Sequence, residues 1–137
     1  QRPLRHPNRS VEALRFLLAT PASEALRVVH AFYALYWADA ADISKPEVLK
    51  ASLKGLGLDA ESIAQKASTN AIKTDLRTRT EAAVKRGVFG VPTFVVNGNL
   101  FWGQDRIEMV AEAAKGWSPS SDLIEHFSFN QETNDAQ

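Results

Sequence analysis

Near the C-terminal end, Gln104, Asp105 and Arg106 set an amide, a carboxylate and a guanidinium side by side where a helix should begin. Free N–H groups and the positive end of the dipole make such a start suited to a carboxylate ligand. The plainer alternative is that Asp105 serves as an N-cap and Arg106 as a surface cation. Other chemistries find little support. The sequence contains no cysteine, which excludes a disulfide, a thiolate nucleophile and a thiolate metal site within these residues. His6, His30 and His126 are far apart, with no His-x-x-Glu-His run and no paired carboxylates, so no metal site is expected, and His30 reads as a helix residue at the edge of the core. Neither Gly-x-Ser-x-Gly nor a Gly-rich nucleotide loop occurs.

The elements that position these residues follow from length and patterning. A chain of 137 residues, 45% apolar and 23% charged, has the make-up of a globular domain. No window approaches the ~18 apolar residues of a membrane span, and the start, Gln1 to Pro7, lacks the apolar stretch of a signal peptide, so a cytoplasmic protein is expected. Sixteen basic and sixteen acidic residues cancel, which argues against nucleic acid or an anionic membrane as partner. Locally they do not cancel: Arg2, Arg5, Arg9 and Arg15 crowd the start, while Asp122, Glu125, Glu132 and Asp135 hold the end. Two solvated ends explain this better than a weak attraction does, since exposed charges are worth little.

Helical spacing dominates the first part. Ser10 reads as the cap of a helix carrying Val11, Leu14, Leu17 and Leu18. Thr20 as cap and Pro21 as first residue open a long helix to about Ala40. Its stripe of Leu26, Val29, Phe32, Tyr33, Tyr36 and Trp37, joined by Val28, Ala31 and Leu35, predicts burial on most sides. Ser44 and Glu47 have capping-box spacing before a helix from Pro46 to Lys54, and Asp59 caps a short one. Asn70 begins a helix to Arg86, with Ile72, Leu76 and Val84 inward and Lys73, Arg77, Arg79 and Lys85 outward.

The pattern changes at Gly87. Val91 to Val96 is β-branched and short, Asn97-Gly98 is a strong two-residue hairpin signal, and Leu100-Phe101-Trp102 completes the second strand. A last helix runs from about Arg106 to Lys115, and a loose tail follows Trp117. Two strands alone are marginal in water, so this hairpin needs at least one further strand. Those strands are expected upstream of Gln1, which agrees with the missing initiator methionine, or from another chain.

Val91-Pro92, preceded by Gly87-Val88-Phe89-Gly90, resembles the start of the last hairpin in thioredoxin-fold proteins, which opens with a cis-proline. An X-Pro bond is cis in only about 5% of cases in folded proteins, so the dipeptide alone says little. Together with Phe101-Trp102-Gly103-Gln104-Asp105-Arg106 it resembles the 2-hydroxychromene-2-carboxylate isomerases and the kappa-class glutathione transferases, within the DsbA-like group.

The resemblance implies an α/β, thioredoxin-like fold with a helical insertion domain, this chain being mostly α with one C-terminal β-hairpin. The implied layout is a connecting segment (1–9), the helical insertion (10–86), the closing hairpin and helix of the thioredoxin-like domain (87–117) and a tail (118–137). It implies a glutathione-dependent enzyme, either an isomerase working by thiol addition, bond rotation and elimination or a kappa-type transferase, with its catalytic serine upstream of Gln1. The backbone of Val91, shaped by Pro92, would meet the cysteinyl part of glutathione. Gln104 and backbone N–H groups would face the γ-glutamyl carboxylate, Asp105 would take the ammonium, and Arg106 would add positive charge. The substrate would be a small aromatic carboxylate or another electrophile. Trp102, Tyr33, Tyr36 and Trp37 are candidates for its aromatic part, although core packing also explains the last three. Partners would be a second copy in a homodimer or the missing N-terminal segment. Two alternatives stand beside this reading: a DsbA-like thiol-disulfide oxidoreductase with an upstream Cys-x-x-Cys, and a helical fragment or subunit that catalyses nothing.

Overall fold

A computed structural model describes residues 6–118. The chain divides into two compact units, the break falling between Ala82 and Ala83.

The first unit is helical: α1 (Val11–Ala19), α2 (Ala25–Trp37), α3 (Pro46–Gly55), α4 (Ala60–Ala67) and most of α5 (Asn70–Lys85). Helices α1 to α4 pack on one another, because each offers apolar residues at spacings of three and four. Ala13, Phe16 and Ala19 come from α1, Leu49 and Leu53 from α3, and Ala60, Ile63 and Ala67 from α4. Leu49, Leu53 and Val28 are fully enclosed. Each such side chain contributes roughly 1.5–3 kcal/mol relative to exposure.

Helix α2 meets this core differently from its apolar pattern. Val28, Phe32 and Tyr36 are buried, whereas Leu26, Tyr33 and Trp37 of the expected stripe are exposed. A helix apolar around most of its circumference has more than one possible inward face, and contacts with α1 and α3 select the one bearing Val28. His30 is likewise exposed rather than at the core's edge, and so is Val84 on α5.

Three expected caps are corrected. Ser10 holds the N-cap position of α1, but its side chain caps nothing. The Thr20 hydroxyl donates to the Phe16 carbonyl at 2.9 Å, so it closes α1 instead of opening α2. After Pro21 a 3-10 turn (Ala22–Glu24) precedes α2, which therefore starts at Ala25 and stops at Trp37, short of Ala40. Ser44 donates through its hydroxyl and its N–H to Asp42 Oδ1, at 2.6 and 3.1 Å, and Lys45 takes the N-cap position. Asp42 thereby organises the turn, receiving the Asn8 amide as well. Asp59 caps α4 as expected, accepting from the Ser62 N–H at 3.0 Å.

The second unit holds β1 (Thr93–Val96), β2 (Asn99–Trp102) and α6 (Ile107–Ala114). The strands pair antiparallel, with Thr93 opposite Trp102 and Val96 opposite Asn99. Asn97 at φ 50° and Gly98 at φ 82° make the two-residue turn, the positive-φ pair that a twisted hairpin demands. The turn is tied to the far end of α6 by the Asn97 amide, which donates to the Ala113 carbonyl at 3.0 Å. Phe101 and Ala113 are buried, while Val95, Leu100 and Trp102 on the opposite face of the ribbon are exposed. The last helix begins later than Arg106, because Gln104–Arg106 forms a 3-10 turn. The expected tail, from residue 119 onward, lies outside the described residues.

Among the described residues no helix is long and apolar enough to cross a membrane, and no group of three or more His, Cys, Asp or Glu is placed to hold a metal ion.

Candidate functional site

The open end of the hairpin, away from the Asn97-Gly98 turn, carries a cleft of about 290 Å³. It is lined by Val91, Pro92, Trp102, Gly103, Gln104, Asp105 and Arg106. Its volume is at the small end of ligand-site sizes.

The backbone explains why these residues converge. The Val91-Pro92 peptide is cis. Beyond the Thr93–Trp102 pair, the Gly103 N–H donates to the Pro92 carbonyl at 2.9 Å, which carries the pairing one step past the strands. Gly103 has φ 103°, and a Cβ there would collide with Asp105 Oδ1. Glycine therefore lets the chain double back, so that the turn Gln104–Arg106 faces the cis bond. Val91 itself is unpaired: among the described residues neither its N–H nor its C=O has a hydrogen-bond partner, and it is 89% exposed. The cleft thus offers a free strand edge on one side.

The other side is charged. Asp105 and Arg106 are neighbours with Nε to Oδ2 at 3.5 Å, and their side chains are 72% and 55% exposed. No backbone N–H is capped by a side chain at this turn, and among the described residues no hydrogen bond reaches the Asp105 carboxylate. The N-cap alternative for Asp105 therefore has no geometric support. One anionic and one cationic group, each open to solvent, together with the Gln104 amide suit a ligand end bearing both an ammonium and a carboxylate.

Six residues singled out by sequence, Val91, Pro92, Trp102, Gln104, Asp105 and Arg106, thus line one cleft. Tyr36 and Trp37 belong to the first unit. Tyr36 is buried there, its hydroxyl 2.8 Å from His6 Nδ1, and packs edge-on against Trp37 at 4.9 Å between ring centroids. Core packing accounts for Tyr36. Sequence reasoning did not pick Gly103 as a lining residue, although a glycine just before a polar turn is a usable signal. Nor did it pick His6, whose position against a ring thirty residues away leaves no local trace.

Comparison with known proteins identifies the family. The DSBA-like thioredoxin domain family matches residues 3–115. Glutathione S-transferase kappa 1 of Homo sapiens is 32% identical over 112 residues, which cover 74% of this chain and 50% of that protein. The 2-hydroxychromene-2-carboxylate isomerase of Sphingobium xenophagum is 30% identical over 94 residues, covering 69% of this chain and 48% of that protein. A solved structure of a 2-hydroxychromene-2-carboxylate isomerase superimposes with a TM-score of 0.70 at 27% identity, covering 83% of this chain and 56% of that one. The chain spans about half the length of the curated relatives it matches.

Proposed function

Since the chain belongs to the DSBA-like thioredoxin domain family, we propose that its cleft holds glutathione, as part of an enzyme of the isomerase and kappa-transferase type. The fold is DsbA-like, mostly helical with one small antiparallel sheet, and its relatives are isomerases and glutathione transferases. The observation that carries the proposal is the convergence of a free strand edge at Val91 with the charged turn Gln104–Arg106 on one cleft.

The residues present fit glutathione by their chemistry. The unpaired N–H and C=O of Val91 pair with the cysteinyl backbone as one more strand would. Pro92 cannot compete for that partner, because it has no N–H and its carbonyl already accepts from Gly103. Asp105 holds the γ-glutamyl ammonium, while the Gln104 amide and the Arg106 guanidinium face its carboxylate. Glutathione supplies the thiol, a nucleophile that this cysteine-free chain lacks. Trp102, which lines the cleft, would meet the substrate, a small aromatic carboxylate or another electrophile. A serine in a preceding segment would complete the site.

Isothermal titration of the 137-residue chain tests this directly. Glutathione should bind saturably, and at least about tenfold more tightly than cysteinylglycine, which lacks the γ-glutamyl end. Equal affinity for the two, or binding of neither, would overturn the proposal. The same titration run on a chain extended upstream reads out the thiol-disulfide oxidoreductase alternative, since disulfide exchange without glutathione affinity would point there.

A further inference from the structure

Gly90 and Phe89 precede the cleft in sequence and do not line it, yet both touch one of its walls. A Cβ placed on Gly90 would lie 2.5 Å from Trp102 Nε1 and 3.2 Å from both Cδ1 and Cε2. No side chain but hydrogen fits under that indole. The backbone does not itself require glycine there, since Gly90 is outside the set of positive-φ residues. Its carbonyl is also held, accepting the Thr93 hydroxyl at 2.5 Å, and Thr93 is the register partner of Trp102. On the flank the Phe89 ring stands 5.1 Å from the indole, tilted by 52°. This separation and tilt are those of a favourable aromatic pair. Phe89 is nevertheless 77% exposed, so core burial does not explain where it sits.

We propose that Phe89 and Gly90 form a seat that fixes the Trp102 indole across the mouth of the cleft, and that this seat sets which groups on the ligand's sulfur are accepted. The proposal rests on the glutathione reading above. Gly90 supplies the floor by close approach and Phe89 the side wall. Both are positioning residues: they act through Trp102, the wall that a sulfur-borne apolar group meets. Backbone pairing and register fix the indole's Cα, and these two contacts bear on its rotamer.

Titration calorimetry of the full chain with S-methylglutathione and S-benzylglutathione reads the ligand side. Wild type should bind the benzyl conjugate about three- to tenfold more tightly. Phe89→Ala should remove most of that increment and leave S-methylglutathione affinity within about twofold, while Phe89→Tyr restores it; Trp102→Ala should remove the increment as well. Gly90→Ala should also remove the increment, yet have no further effect once Trp102 is Ala. Such non-additivity marks action through one partner. The indole N–H resonance of Trp102, assigned by Trp102→Phe, reads the seat without ligand and should shift in Phe89→Ala and Gly90→Ala.

Failure of S-methylglutathione to bind would refute the glutathione reading. Binding without a benzyl increment, a Gly90→Ala effect equal in both backgrounds, or an indole resonance indifferent to Phe89 would each overturn the seat. Phe89 is exposed, so its variants keep the test intact should Gly90→Ala fail to fold.

Discussion

Replacing Asp105 by Asn removes one negative charge while keeping shape and one accepting oxygen. The bond that an ammonium would make to this carboxylate is charge-assisted, a class worth about 1.5–3 kcal/mol when partly desolvated. Here the side chain is 72% exposed, so the value falls toward the 0.2–1 kcal/mol typical of solvent-facing pairs. A loss of about 1 kcal/mol follows, which raises the glutathione Kd roughly fivefold. The substitution also releases Arg106, whose Nε lies 3.5 Å from the lost charge, and leaves the carboxylate side of the ligand equally or more strongly held. N-Acetylglutathione, which lacks the ammonium, should therefore bind the variant no more weakly than wild type. Calorimetry at low and high salt checks the origin of the effect, because screening shortens the Debye length from about 30 Å at 0.01 M to about 3 Å at 1 M. The fivefold factor should shrink accordingly. The melting temperature should not move, since no backbone N–H depends on the carboxylate. An unchanged Kd together with a melting temperature several degrees lower would mean that Asp105 is a structural cap. An equal loss for N-acetylglutathione would mean that it does not face an ammonium.

The remaining predictions concern the helical unit. Leu53→Ala, at a fully enclosed position, should cost about 2–5 kcal/mol by leaving a cavity and should lower the melting temperature of this unit by roughly 10 °C or more. Leu26→Ala, on the exposed side of α2, should change stability by less than about 0.5 kcal/mol, and a large effect there would show that the side bearing Leu26 is covered. The Glu61 carboxyl is held below its ordinary value first by hydrogen bonding to Lys50, 2.5 Å away, and then by Lys54 at 3.2 Å. A lowered carboxylate pKa stabilises the fold above the unfolded-state value and stops doing so as pH falls through the folded-state value. Lys50→Gln should thus lower the melting temperature at neutral pH and match wild type in strong acid, as a pair of pH-dependent melts would record.

Local rules made some elements legible and left others open. Asn97-Gly98 announced the hairpin because few residues besides Asn and Gly tolerate two successive positive φ values. Asp59 announced α4 because a carboxylate three residues before a free N–H has an obvious use. Thr20 misled, since its hydroxyl can serve the helix behind it as well as the one ahead, and the chain chose Phe16. Ser44 misled similarly, since Asp42 two residues earlier is the stronger acceptor. The face of α2 was undecidable from its own residues, because Tyr33 and Trp37 are as apolar as Phe32 and Tyr36 and only the neighbouring helices discriminate. At the cleft, Val91, Pro92 and the Gln104 to Arg106 run were legible as a motif. Phe89 and Gly90 were quoted in that motif without a role, because their use appears only when β2 brings Trp102 alongside.

The tie between Asn97 and Ala113 also makes the second unit a matched pair of lengths. Helix α6, of eight residues at 1.5 Å each, is roughly 12 Å long, and a four-residue strand at 3.3 Å each is roughly 13 Å. With its last turn fastened to the hairpin tip and its side packed on β1, the helix has its N-cap residue, Arg106, at the cleft that Val91 and Pro92 also line. Arg106 and its neighbours are delivered to the cleft by this measuring-off as much as by their own chemistry. One residue gained or lost in α6 would slide that end by about 1.5 Å and swing it by about 100°, so the hairpin and the helix can change length only in step.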